Sequence, residues 1–181
     1  LAEHLRRYDI RLAGITCYDC EALPLAARLA EALELLYPSV DAIALCRDKL
    51  NCKLAWRAAD VPGPDGAGVR TAAEAVAFQQ RVGGTCVLKP PTGSGSEYVF
   101  LCRGGEEAAA GVAAIRQAMA IQADNRMYAG ADGRIVAERV AVGDEYSCDV
   151  LVEEHGLRIV RLARKVRLSY GPFGTIHGYE V

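Results

Sequence analysis

Apolar and polar positions alternate along the chain in two rhythms, one close to 3.6 residues and one of two. Leu23 to Leu36 is rich in Ala and Leu and reads as a helix, ending before Tyr37-Pro38, where proline blocks continuation. Asp48 is placed to cap a helix from Lys49 to Ala59, with Leu50, Leu54, Arg57 and Ala58 along one face; Val61-Pro62 and Pro64 end it. Thr71 to Val82 has the capping-box spacing, with Thr71 as N-cap and Glu74 three residues on. Glu106 to Ile121 is an Ala-rich helix with Val112, Ile115 and Met119 on one side. The two-residue rhythm predicts strands at Arg11–Cys17, Thr85–Lys89 and Tyr98–Cys102. It also predicts an antiparallel meander over 134–140, 145–153 and 157–167, with turns at Gly143 and His155-Gly156. Pro62 to Gly68 reads as a connector and Asp124 to Gly133 as a polar loop. No internal repeat appears. The expected fold class is α/β, built as α+β lobes.

Composition narrows the function classes. A net charge of −2 leaves no basic footprint for nucleic acid, and no apolar run is long enough to span a bilayer. Glu3, His4, Arg6 and Arg7 stand where a secretory leader would be apolar. Seven cysteines, an odd number in mostly apolar surroundings, read as reduced thiols acting as small core residues. A cytoplasmic protein is expected. Cys17 and Cys20 form a CxxC without a second ligand pair, and His4, His155 and His177 are not at metal-ligand spacing.

The densest chemical signal is Val87-Leu88-Lys89-Pro90-Pro91-Thr92-Gly93-Ser94-Gly95-Ser96, followed by the apolar run from Tyr98. A strand delivers a lysine to a loop of glycine and hydroxyl residues. Glycines let the backbone approach a ligand, free N–H groups in such a loop favour anions, and an ammonium adds a compact charge suited to phosphate oxygens. The lysine precedes the glycines, so this is not a Walker loop, and no helix follows as a dinucleotide fingerprint requires. A plain hairpin with a surface lysine is the alternative reading of the loop alone. Downstream, Glu138-Arg139-Val140 and Glu145 flank a turn at Gly143. A carboxylate there suits the paired hydroxyls of a ribose, and the backbone edge suits adenine; two surface carboxylates beside a hairpin are the alternative. Upstream, Lys49 lies in the first turn of its helix, where the helix dipole disfavours a cation, as expected of a residue kept for a ligand; a solvated lysine at a helix start is the alternative.

In this order the three segments, over roughly residues 46 to 165, resemble the ATP-grasp superfamily, and within it carboxylate–amine ligases such as D-alanine–D-alanine ligases, amino-acid ligases and carbamoyl-phosphate-synthase-like proteins. The resemblance implies an ATP-grasp central lobe plus part of the C-terminal lobe. Residues 1–45 would be the tail of a preceding domain, 46–137 the central lobe with its glycine loop, and 138–181 the start of a second lobe. It implies that Lys89 holds the α/β phosphates, with Lys49 beside the α-phosphate. The backbone of Ser94, Gly95 and Ser96 folds over the terminal phosphates. Glu138 and the main chain of Arg139 and Val140 meet adenine, and Glu145 takes the ribose hydroxyls. Lys165, next to Arg164, falls where such enzymes carry a basic group near the γ-phosphate or acyl substrate. The implied cofactors are ATP and Mg2+, with the metal ligands expected outside this chain, because no later carboxylate and asparagine set follows and Glu180 is a candidate by charge alone. The chain, which begins at Leu1, is therefore expected to be a fragment. The implied reaction phosphorylates a carboxylate to an acyl phosphate, which an amine, ammonia or thiol then displaces. The expected partners are small-molecule carboxylate and amine substrates, with a homodimer possible. A non-catalytic ATP-binding regulatory module and a structural α+β domain without nucleotide are the alternatives.

Overall fold

The computed structural model describes residues 1–121, 126–128, 132–153, 156–168 and 176–180. In chain order the elements are α1 (Ala2–Arg7), α2 (Leu23–Ala32), α3 (Val40–Arg47), α4 (Lys49–Ala58), β1 (Gly66–Val69), α5 (Ala72–Arg81), β2 (Cys86–Lys89), β3 (Phe100–Cys102) and α6 (Gly105–Ile121). They continue with a 3-10 turn (Arg126–Tyr128), β4 (Ile135–Arg139), β5 (Tyr146–Glu153), β6 (Gly156–Leu168) and β7 (Ile176–Glu180). The chain divides into two compact units, Leu1–Arg139 and Val140–Val181. Helices with antiparallel sheets make this an α+β fold.

The first unit holds a four-stranded sheet in the order β1-β4-β2-β3, antiparallel at every step. Because side chains alternate across a strand, the register sorts them into two sets. Ala67, Val69, Leu88, Ile135 and Ala137 pack with Ala75 and Phe78 of α5 and with Ala108, Val112 and Ile115 of α6, forming the core. The opposite face carries Gly66, Gly68, Val87, Lys89, Val136 and Glu138. Helix α4 lies on this second face over β1, and the strand is glycine-rich for that reason. A Cβ on Gly68 would come within 2.7 Å of Leu50 Cδ2, and one on Gly66 within 2.6 Å of Lys53 Cε.

Local caps act as the sequence pattern expects. Asp48 Oδ1 accepts the N–H groups of Leu50 (2.9 Å) and Asn51 (3.0 Å), and its Oδ2 accepts from Asn51 Nδ2 and from Arg134 Nη2 at 3.2 Å. Asp48→Ala removes both the cap and the partner of Arg134. A loss of about 2 kcal/mol, at the upper end for caps, is expected in urea unfolding with an unchanged slope, and Asp48→Asn should lose less. Thr71 caps α5 by accepting from Glu74 N, while the Glu74 carboxylate reaches Arg70 N at 2.6 Å rather than the N-cap's own amide.

Several expectations need correction. Residues 11–17 form no strand and are paired with none of the described strands. Helix α2 stops at Ala32, where Leu33 closes the end and Glu34 turns left-handed, several residues before Pro38. The stretch read as a connector, Pro62 to Gly68, runs into β1, whose first three residues it holds. Residues 135–139 do not open a meander: β4 sits between β1 and β2. The β5–β6 hairpin does form, with a register shift at Asp149/Val150, and β7 extends it. Helices α1 and α3 and strand β7 were not anticipated. Of the cysteines only Cys86 and Cys102, partners across β2 and β3, are buried; Cys46 and Cys148 are exposed. Half of the expected loop 124–133 and His155 of the expected turn lie outside the described residues. In the second unit, Cys148, Val150 and Val152 of β5 alternate onto the same face as Leu157, Ile159 and Leu162 of β6, and all six are exposed.

Candidate functional site

Strand β2 ends in Lys89, and β4, its neighbour, carries Glu138 on the same face, so the two side chains meet diagonally across the ladder. Lys89 Nζ pairs with Glu138 Oε2. The other carboxylate oxygen, Oε1, is held at 2.7 Å by Lys53 Nζ, one turn along α4 from Lys49. Lys53 is only 8% exposed and also donates to Pro64 O at 3.0 Å. Burial pushes the Glu138 carboxyl up, but the hydrogen bonds and charges of Lys53 and Lys89 outweigh it and hold it below its ordinary value.

Lys49 opens α4, just after the Asp48 cap. Its N–H donates to Pro91 O at 2.8 Å and its Nζ to Gly93 O at 3.1 Å, so one residue ties the helix start to the glycine loop by both main chain and side chain. Burial lowers its pKa to about 8, helped by the nearby charges of Lys89 and Arg47 and opposed by Asp48 and Glu138. The result is a crowded cation with no ion-pair partner among the described residues, the electrostatic condition a phosphate oxygen relieves. Since the folded chain binds this proton less tightly than the unfolded one, the charge on Lys49 opposes folding at pH 7. Its contribution to stability therefore rises as pH passes from about 8 toward 10.5. An anion at Lys49 would raise the pKa again. Near pH 8, binding of an anion at Lys49 should therefore be accompanied by proton uptake, read by calorimetry in buffers of different ionisation enthalpy, and Lys49→Met should abolish the uptake.

The loop rises from buried Pro90, Pro91 and Thr92. Gly93 has φ +110° and rests near Met127 and Tyr128 of the 3-10 turn. Ser94 Oγ donates to Glu21 Oε1 at 3.2 Å, and the same oxygen pairs with Arg47 at 3.5 Å. Gly95 and Ser96 are exposed at the tip. Ser96 and Tyr98 adopt left-handed φ, disfavoured for residues with a side chain, and the Tyr98 ring stands edge-on to Tyr128.

Of the residues singled out by sequence, Lys49, Lys89, Glu138 and the root of the glycine loop thus lie together in the first unit. Arg139 ends that unit; its N–H donates to Asp65 O at 2.8 Å, and its guanidinium lies 3.7 Å from the Asp65 carboxylate. Val140 begins the second unit. There Glu145 and Lys165, expected in separate roles, meet: Lys165 N donates to Glu145 O at 2.7 Å and their side chains form an ion pair. Arg164 pairs with Asp144 and Glu180. Lys53, Arg47 and Glu21 were missed. Lys53 was discoverable, being four residues after Lys49 on one helix face. Glu21 carried no signal, since it meets Ser94 across 73 residues. A groove of about 290 Å³ beside α4 is lined by Lys53, Trp56, Arg57 and residues 60–65. Among the described residues no group of three or more acidic, His or Cys side chains is gathered for a metal ion, and none of their helices is long and apolar enough to cross a membrane.

The sequence profile of the ATP-grasp domain matches residues 82–175, about half of the chain. The chain belongs to the ATP-grasp family. It is 33% identical over 104 residues to the uncharacterized protein y4rH of Sinorhizobium fredii, which spans 58% of this chain and 21% of that protein. Among solved structures, an L-amino acid ligase from Bacillus licheniformis superposes with a TM-score of 0.72 at 21% identity, over 98% of this chain and 38% of that one. A biotin carboxylase from Campylobacter jejuni, solved as a β,γ-ATP complex, gives 0.73 at 16%, over 93% and 37%. D-alanyl-alanine synthetase A of Vibrio cholerae gives 0.64 at 14%, over 88% and 47%. The chain spans less than half of each of these relatives.

Proposed function

We propose that this chain is the nucleotide-binding portion of an ATP-dependent ligase that joins a carboxylate to an amine through an acyl phosphate. The carrying observation is the partly buried group of Lys89, Lys49 and Lys53 around the single carboxylate Glu138, at the root of a glycine loop. Lys89 and Lys49 bind the phosphates. Lys49 exchanges the Gly93 carbonyl for a phosphate oxygen, and the freed loop, through Ser94, Gly95 and Ser96, covers the terminal phosphates. Covering them keeps water from the acyl phosphate, which it would otherwise hydrolyse. The Glu138 carboxylate, engaged by two lysines, orients those cations. Of the Arg139 main chain only the carbonyl remains to meet adenine, together with Val140. Magnesium would neutralise charge developing on the transferred phosphoryl group; the described residues gather no ligand set for it.

In the reaction a substrate carboxylate oxygen attacks the γ-phosphorus, and the bond to the β-bridging oxygen breaks to release ADP. The amine nitrogen then attacks the acyl carbon, phosphate leaves, and the nitrogen loses a proton. The test is turnover by the full-length protein with ATP, a panel of amino and hydroxy acids, and hydroxylamine as trap. ADP and phosphate with a hydroxamate product are expected. AMP and pyrophosphate, or nucleotide binding with no substrate-dependent turnover, would contradict the proposal.

A further inference from the structure

Lys53, only 8% exposed, is left without a contact to nucleotide in that reaction. Its side chain crosses β1 at Gly66, where a Cβ would sit 2.6 Å from Cε and 2.9 Å from Cδ, and so reaches both Pro64 O and Glu138 Oε1. Glu138 is thereby divided: one oxygen to Lys53, the other to Lys89. From this division we infer that Lys53 is a positioning residue for nucleotide binding, with Gly66 as its seat. By holding half of the carboxylate it prevents Glu138 from closing on Lys89 alone, and it keeps the charge around Lys89 positive in excess. Without Lys53, Lys89 and Glu138 become an isolated, mutually satisfied pair, and a phosphate must compete with the carboxylate for the ammonium. Lys53 itself touches no ligand and acts through Lys89. The inference rests on the proposed assignment of Lys89 to the phosphates.

Gly66 supplies a gentle probe. Its backbone does not require glycine, since its φ is not left-handed, and the atoms an alanine methyl would meet are mostly the far end of a flexible chain. Gly66→Ala therefore displaces the Lys53 ammonium while leaving its charge in the protein.

The experiment is calorimetric titration of the full chain with a non-hydrolysable ATP analogue at fixed salt and pH 7. The variants are Lys53→Met, Gly66→Ala, Lys89→Ala and the double Lys53→Met/Lys89→Ala, each checked for a cooperative unfolding transition. Lys53→Met is expected to weaken binding roughly tenfold, the scale of losing one charge's influence at short range, and Gly66→Ala to move in the same direction. The double variant should bind no more weakly than Lys89→Ala, because the effect runs through Lys89. Wild-type affinity in both Lys53→Met and Gly66→Ala, alongside weakened Lys89→Ala, overturns the inference and leaves the phosphate reading standing. Additive losses in the double variant also overturn it, since they mean Lys53 acts independently of Lys89. Wild-type affinity in Lys89→Ala removes the phosphate reading and this inference with it. If Lys53→Met does not fold, Gly66→Ala decides between the same outcomes.

Discussion

Glu138→Ala is expected to lower the unfolding free energy of the first unit by about 3–5 kcal/mol, the range for removing one partner from a buried ion pair. The mechanism is specific. Lys53, 8% exposed, and Lys89, 21% exposed at its side chain, both end on this carboxylate, and alanine leaves two ammonium groups on a sheet face already bearing the lowered-pKa charge of Lys49. Glu138→Gln keeps the shape and one acceptor and should lose less, though still more than 1 kcal/mol because hydrogen bonds to charged groups are the stronger kind. The pH dependence has a definite sign. The folded-state value lies below the ordinary 4.5, so the stabilisation is fully present above that pH and is lost as pH falls through the depressed value. Wild type should therefore converge on Glu138→Gln in acid. Urea unfolding at pH 7 and at several values below 4.5 measures both effects, and equal stability of wild type and Glu138→Ala at pH 7 would remove the pair from the account.

Lys89→Ala should do the reverse, with little effect on the fold and a large one on ligand. Glu138 retains Lys53 as its counter-charge, and the Lys89 side chain is the more exposed of the two lysines, so the unfolding free energy should fall by clearly less than in Glu138→Ala. Loss of a charged phosphate contact should weaken nucleotide binding by about 1.5–3 kcal/mol, roughly 10- to 100-fold. The two variants thus separate what holds the site from what the site holds. A Lys89→Ala protein that unfolds like Glu138→Ala but binds nucleotide like wild type would reverse those roles.

What could be read from the chain alone was what is encoded locally. The Asp48 cap, the Thr71 cap and the lysine ahead of its glycine loop each depend on residues within a few positions of one another, and each appears in the structure. Strand β1 was hidden because Gly66 and Gly68 look like a connector; they are glycines because Lys53 and Leu50 press on them from α4, a contact no local pattern reports. The order of the strands was hidden too. The alternation at 135–139 says strand, but not that its partners are β1 and β2 rather than β5. At the site, the sequence marked Lys89 and Glu138 separately and could not show that they touch, or that Lys53 comes between α4 and the carboxylate. The Glu21–Ser94 contact joins the segment before α2 to the loop, and only the folded chain brings it about.

The central claim is that the ammonium groups of Lys89 and Lys49 grip triphosphate. Its most direct measurement is a structure of the protein bound to a non-hydrolysable ATP analogue. Both Nζ atoms should lie within about 2.7–2.9 Å of phosphate oxygens, the distance of charge-assisted bonds, with Lys49 released from Gly93 O. An analogue bound elsewhere, with Lys49 still on Gly93 O and Lys89 on Glu138 alone, would contradict it.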